Sequence, residues 1–387
     1  MKKQIFLLIF IVIFSGCVKP IELDTIVENE STLVVDALLT NELKHHVVKL
    51  SKSIPLDSTA RVKETNAQIK IMDDNNVVYN FSEGEEGIYL SNDLFKAEKG
   101  KKYTLEIVTS DGTRYTSNEE EIYGFNTIDQ VDIKKENDKF EEEVLAIYVK
   151  SDGTNNENAQ YYRYRIEETY KVIAPDWKTQ MFDKTKLPEI VVVPNTEFYR
   201  VCYGSSETKE IVLKEATLLN EKSIEFSIYN FKEEDFKIAH RYSGLVKQYV
   251  QSPEAHAYST KILRNSTSQS VFTQSQPGAL TGNISSDKKV IGYFEVSSVS
   301  EKRIFFNHSD FFEYSERNFN YPEVCSTPYY PPLKVNNTYP LREAIESGDW
   351  LYGKEDEIVH GTYHIVKKEC GDCTKQGSNI KPNFWID

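Results

Sequence analysis

Apolar and polar residues alternate in short bursts between about residues 31 and 121. The bursts are Thr32–Leu39, His46–Leu50, Ala67–Met72, Val77–Phe81, Gly87–Leu90, Lys102–Val108 and Arg114–Thr116. Alternation rich in β-branched and aromatic residues predicts half-buried strands. Turn formers fill the gaps, at Asp73–Asn76, Glu83-Gly84 and Ser110–Gly112. Asp111-Gly112 between two such bursts is a tight-hairpin signal. Short strands at this density, over roughly 90 residues, predict an immunoglobulin-like or transthyretin-like sandwich over 29–124.

Ile122–Thr127 reads as a linker, and a larger β-rich domain is expected over 125–387. Its strands are predicted at Glu143–Val149, Tyr161–Ile166, Ile190–Val193, Glu210–Leu213, Ile224–Tyr229, Lys289–Val296 and Arg303–Phe306. Phe236, Ala239, Tyr242, Leu245, Val246 and Tyr249 recur at three- and four-residue spacing. That predicts one or two helices near 231–264, interrupted at Ser252-Pro253 and laid across the second sheet. The tail from Asn307 is rich in Tyr, Pro and Asn and reads as loop with a short helix. No repeat with a period of 20–50 residues is present. The expected fold class is mainly β.

The N-terminus has a different pattern. Met1-Lys2-Lys3 precedes ten unbroken apolar residues, Ile5–Phe14, and then Ser15-Gly16-Cys17. A helix of that length rises about 15 Å, half of a bilayer core, so the segment does not span. It reads as a signal peptide over 1–16. The Cys after Ser-Gly resembles a bacterial lipoprotein signal, in which the thiol is diacylated and the chain is cut before it; Phe14 stands where Leu is usual. Residues 17–28 then form a lipidated tether. Lys19 followed by Glu22 and Asp24 resembles an export tag that moves lipoproteins to the cell surface. No other stretch approaches the 18 apolar residues of a membrane span, so the lipid is the expected anchor.

Charge narrows the function classes. The chain carries 46 cationic against 60 acidic residues, a net −14, and loses only Lys2 and Lys3 on cleavage to reach −16. A nucleic-acid binder or a polybasic lipid binder needs the opposite sign. Beyond Cys17, four cysteines remain: Cys202, Cys325, Cys370 and Cys373. An even number in an exported chain reads as disulfides, and one of Cys370 and Cys373 is expected to bond Cys325. The competing reading is zinc, since His360, His364, Cys370 and Cys373 offer four ligands within fourteen residues. An oxidising compartment favours the disulfides.

No nucleophile elbow, metalloprotease helix, phosphate loop or dinucleotide fingerprint is present. His45, His46, His240, His256 and His308 read as surface or packed side chains. The acidic runs Glu119–Glu121, Glu141–Glu143 and Glu233–Asp235 read as solvated faces, and Asp73–Asn76 as a β-turn rather than a calcium loop. No catalytic residue, metal or cofactor is predicted, and an enzyme ranks last. Tyr321, Tyr329, Tyr330 and Tyr339, in the Pro-rich tail, are candidates for a partner surface or for sugar stacking; the competing and favoured reading is that these rings cap a loop-rich core edge.

An ordered set of phrases is similar to a family of Bacteroidota outer-membrane lipoproteins, domain of unknown function 4249. They are Cys17, Leu33–Val35, Gly87–Tyr89, Gly100–Tyr103, Asp111-Gly112, Cys202-Tyr203, Gly282–Ile284, Val290–Phe294, Cys370–Cys373 and Lys381–Trp385. Ala37 stands where Gly is expected. The resemblance implies no established chemistry. It implies a place on the outer membrane and genes beside those of TonB-dependent barrels. The expectation is thus a non-enzymatic, lipid-anchored protein on the outer face, serving a barrel transporter or a larger outer-membrane assembly. The alternative is a stand-alone carbohydrate- or peptide-binding lipoprotein.

Overall fold

The alternating bursts become β1 (Leu33–Thr40), β2 (Val47–Lys52), β3 (Val62–Lys63), β4 (Gln68–Asp73), β5 (Val78–Glu85), β6 (Ile88–Ser91), β7 (Lys102–Val108), β8 (Arg114–Ser117) and β9 (Glu120–Glu121). These come from a computed structural model that describes residues 32–53, 62–152, 158–208, 210–216, 223–267, 280–313, 325 and 329–387. Every second residue of β1 and β7 is buried, as period-two patterning requires. Leu39, Leu50, Ile71, Tyr89, Tyr103 and Ile107 build one core with them. Asp111-Gly112 forms the expected tight turn: Gly112 has φ 82° and its amide donates to the Thr109 carbonyl at 2.9 Å.

The next strands are β10 (Ile128–Asn137), β11 (Glu143–Asp152), β12 (Tyr161–Ile173), β13 (Gln180–Phe182), β14 (Val192–Pro194), β15 (Val201–Glu207), β16 (Val212–Glu215) and β17 (Ser223–Lys232). They are followed by β18 (Arg241–Gln251), β19 (Ile284–Ser285) and β20 (Val290–Asn307). Sheet β10-β11-β17 packs against the run β15-β12-β18-β20. Leu145, Ile147, Tyr162, Tyr164, Phe231, Tyr242 and Val246 fill the space between them. This is a second sandwich.

The two sandwiches share a strand. Residues 290–297 of β20 pair in parallel with β1, and residues 298–307 pair antiparallel with β18. Two strands expected at Lys289–Val296 and Arg303–Phe306 are therefore one, with 18 residues and a length of about 60 Å. β19 also pairs with β8, so Ile284, Phe294 and Val296 complete the N-terminal core. The described residues of 32–124 thus share their core with side chains from far along the chain. Glycine explains the close approach here: a Cβ on Gly282 would lie 1.6 Å from the Gly292 carbonyl oxygen. That proximity lets the Asn283 amide bridge the turn, donating to the Phe294 carbonyl at 2.9 Å and accepting from its amide at 2.8 Å.

The helices predicted near 231–264 need correction. Only α1 (Pro253–Thr267) is helical at length; residues 241–251 are the central strand β18. Eight of the eleven residues of β18 are buried, and they fall on both faces of the strand. Burial on both faces erases alternation, and the remaining apolar residues mimic a helical period. Pro253 starts the helix rather than breaking it. The Ser252 hydroxyl accepts from the Ala255 amide at 3.2 Å, and Pro253 stands in the first turn, where no amide donor is required.

The C-terminal tail holds more order than expected: α2 (Pro340–Ser347), then the hairpin of β21 (Trp350–Glu355) and β22 (Tyr363–Lys367). With the β13–β14 hairpin they enclose a small third core of Phe182, Leu341, Ile345, Tyr363 and Ile365.

Candidate functional site

The C-terminal module is stapled to the second sandwich. Cys202 on β15 bonds Cys373, and Cys325 bonds Cys370. The two cysteines of one short turn thus hold different partners. Around the staples, the Cys373 amide donates to the Tyr199 carbonyl at 2.9 Å, and Ser378 pairs with Tyr203 beside the sheet edge. Trp385 packs 5.0 Å from Tyr203, and Phe384 lies 3.7 Å beneath the Arg303 guanidinium.

Disulfide bonding removes the thiols a zinc ion would need. The two histidines of that alternative also stand apart in role. His360 is exposed, 3.7 Å from Glu355, whereas His364 is stacked under Tyr330 at 4.8 Å. Burial holds the His364 imidazole below its ordinary pKa. Among the described residues no group of three or more His, Cys, Asp or Glu side chains is placed to hold a metal.

Three of the four tail tyrosines share this module. Tyr329 exchanges backbone hydrogen bonds with Ile365, so it extends the β22 edge, and its ring lies 5.2 Å from Trp350. Tyr330 follows over His364. Tyr339 precedes α2 and lies 4.6 Å from the Arg342 guanidinium. They keep 42, 53 and 39% of their surface, with Leu333 and Val335 at 44% beside them in sequence. None of the three is core. Cys17 and Tyr321 lie outside the described residues.

Sequence reading did not single out Trp350, on which Tyr329 rests. Its signal was the aromatic alternation Trp350, Tyr352 facing Tyr363, Ile365 across a Gly361 turn. Glu168 was missed as well. It is 1% exposed, yet accepts from Lys237 Nζ at 2.5 Å and Ser206 Oγ at 2.7 Å on one oxygen, and from the Tyr242 hydroxyl at 3.2 Å on the other. Burial, then the Glu168 charge, pushes the Tyr242 hydroxyl well above its usual pKa. A buried carboxylate so fully partnered is a fixture of the sheet.

No helix among the described residues is long and apolar enough to cross a membrane. A family model described as "Domain of unknown function (DUF4249)" matches residues 18–303. The stapled module, from Cys325 onward, lies beyond that match. No curated protein matches the chain. A solved DUF4785-family protein from Legionella pneumophila subsp. pneumophila str. Philadelphia 1 aligns at 9% identity over 56% of this chain, with a TM-score of 0.18. The match spans about half of that protein, 51% of its length.

Proposed function

Because the chain belongs to the DUF4249 family, whose description assigns no activity, we propose from its physical chemistry that it is a non-enzymatic outer-membrane lipoprotein. On this reading Cys17 carries the lipid, the protein faces outward, and it serves a barrel protein by contact. The barrel is a TonB-dependent transporter or part of a larger outer-membrane assembly. The observation that carries the reading is the exposed Tyr329–Tyr330–Tyr339 surface, fixed on a module with two disulfides. Exposed tyrosines on a rigid support supply contact area at low entropic cost. A net −16 after cleavage makes attachment to anionic lipopolysaccharide repulsive, which leaves the lipid and a protein partner to hold the molecule there.

Co-purification from detergent-solubilised outer membranes tests this. A stoichiometric barrel protein is expected, with its recovery reduced by Tyr329→Ala plus Tyr330→Ala while the thermal melt stays nearly unchanged. Recovery of a lone lipoprotein would overturn the barrel reading, and so would hydrolytic turnover abolished by one acidic substitution. The stand-alone ligand-binding reading has one observation in its favour, a cleft beside Trp350.

A further inference from the structure

We propose that the cleft between the β13–β14 hairpin and the start of β21 binds a neutral oligosaccharide. This goes beyond the barrel-contact reading and does not depend on it. The cleft has a volume of about 660 Å³, within the range of small-molecule sites. Trp350 and Tyr352 line it, and both are only half-buried. Four charged side chains share the lining, Lys184 and Lys368 with Asp183 and Glu197, so the two signs balance.

The backbone explains why these groups converge. Gly348 ends α2 with φ 79°, and a Cβ there would lie 3.3 Å from Lys184 Nζ. The missing side chain leaves room for the ammonium beside the end of α2. The Lys368 ammonium lies 4.0 Å from the Asp372 carboxylate. Asp183 places one oxygen on the Thr185 amide and hydroxyl, at 3.0 and 2.6 Å, which fixes its carboxylate at the rim.

Three ligand classes can be compared on this lining. A wholly apolar occupant would strip water from four charged groups without replacing their hydrogen bonds, a cost that rises with each group. An anionic ligand meets as many carboxylates as ammoniums and gains little. A sugar offers hydroxyls that both donate and accept, together with C–H faces that pack on aromatic rings. Only the last uses every part of the lining.

The test uses the intact, disulfide-bonded protein. Cellotetraose, maltotetraose, xylotetraose and mannotetraose are titrated by calorimetry and by intrinsic tryptophan fluorescence, with tetragalacturonate as the charged control. At least one neutral tetrasaccharide should bind saturably. The double variant Lys184→Met, Glu197→Gln should weaken that binding by about tenfold or more. Both positions are exposed, so its melt should match the parent. Trp350→Phe, which keeps an aromatic face, should weaken binding less than the double variant does. Absence of saturable binding by all four neutral sugars overturns the proposal. So does undiminished binding by the double variant, or binding of tetragalacturonate alone. None of these outcomes bears on the tyrosine co-purification test.

Discussion

His46 lies 1% exposed in the core of the N-terminal sandwich, its Nε2 2.9 Å from the Phe95 carbonyl and its ring edge-on to Phe95 at 4.8 Å. Burial pulls its pKa down to about 4. The folded protein therefore keeps this imidazole neutral, while the unfolded chain protonates it near 6.5. Between those values the unfolded state binds more protons, so the contribution is complete above pH 6.5 and is lost as pH falls toward 4. The loss should reach about 3 kcal/mol at most. His240 acts with the same sign, also at about 4, through burial reinforced by Lys171 and His308. Melting temperatures measured from pH 8 to 4 should be flat at the high end and decline below about 6.5. His46→Gln, which retains a donor for Phe95, should make that decline shallower; an unchanged slope would refute the assignment. The sequence placed His46 as a packed or surface residue and went no further.

At the scale of elements, the two disulfides have different tasks: Cys202–Cys373 holds the C-terminal module to β15, and Cys325–Cys370 closes a loop within the module. Cys325 and Cys370 are 45 residues apart, and closing such a loop stabilises by about 4 kcal/mol on the chain-entropy account. Cys325→Ser with Cys370→Ser should therefore expose the module to proteolysis first and leave the shared sheet standing. Limited digestion followed by mass spectrometry reads this directly, and equal resistance of parent and variant would contradict it. Elements buried on one face, such as β1 and β7, were legible because their alternation survives in the residue order. β18 was not, since both its faces are covered. Nor was β10, where the exposed Asp129, Gln130, Lys134 and Lys135 interrupt the few core-facing residues, Ile128, Val131 and Ile133. The C-terminal tail hid its hairpin for another reason. Its strands are short, and the β13–β14 residues they pack against, Phe182 among them, lie far back in the sequence, so only tertiary contact reveals that core. The same distance concealed the cleft at Trp350.

At the scale of the whole molecule, β20 runs through both sandwiches. Its first half is the parallel partner of β1, Leu33 opposite Val290 through Thr40 opposite Ser297. Its second half is the partner of β18 from Ser298 to Asn307. Parallel strands need such a return from far along the chain, and here it arrives about 250 residues later. A fragment covering 32–124 retains every strand from β1 to β9, yet it lacks Ile284, Phe294 and Val296 from its core. It would also leave the whole outer edge of β1 unpaired, from Leu33 to Thr40, which invites aggregation. Burying apolar side chains of that size contributes roughly 1.5–3 kcal/mol each, so losing three approaches the total stability of a small domain. The fragment should show no cooperative melt, whereas the chain from residue 32 to 387 should unfold both sandwiches in a single calorimetric transition. Two separated transitions, or a stably folded 32–124 fragment, would show that β20 merely touches the N-terminal sandwich and does not complete it.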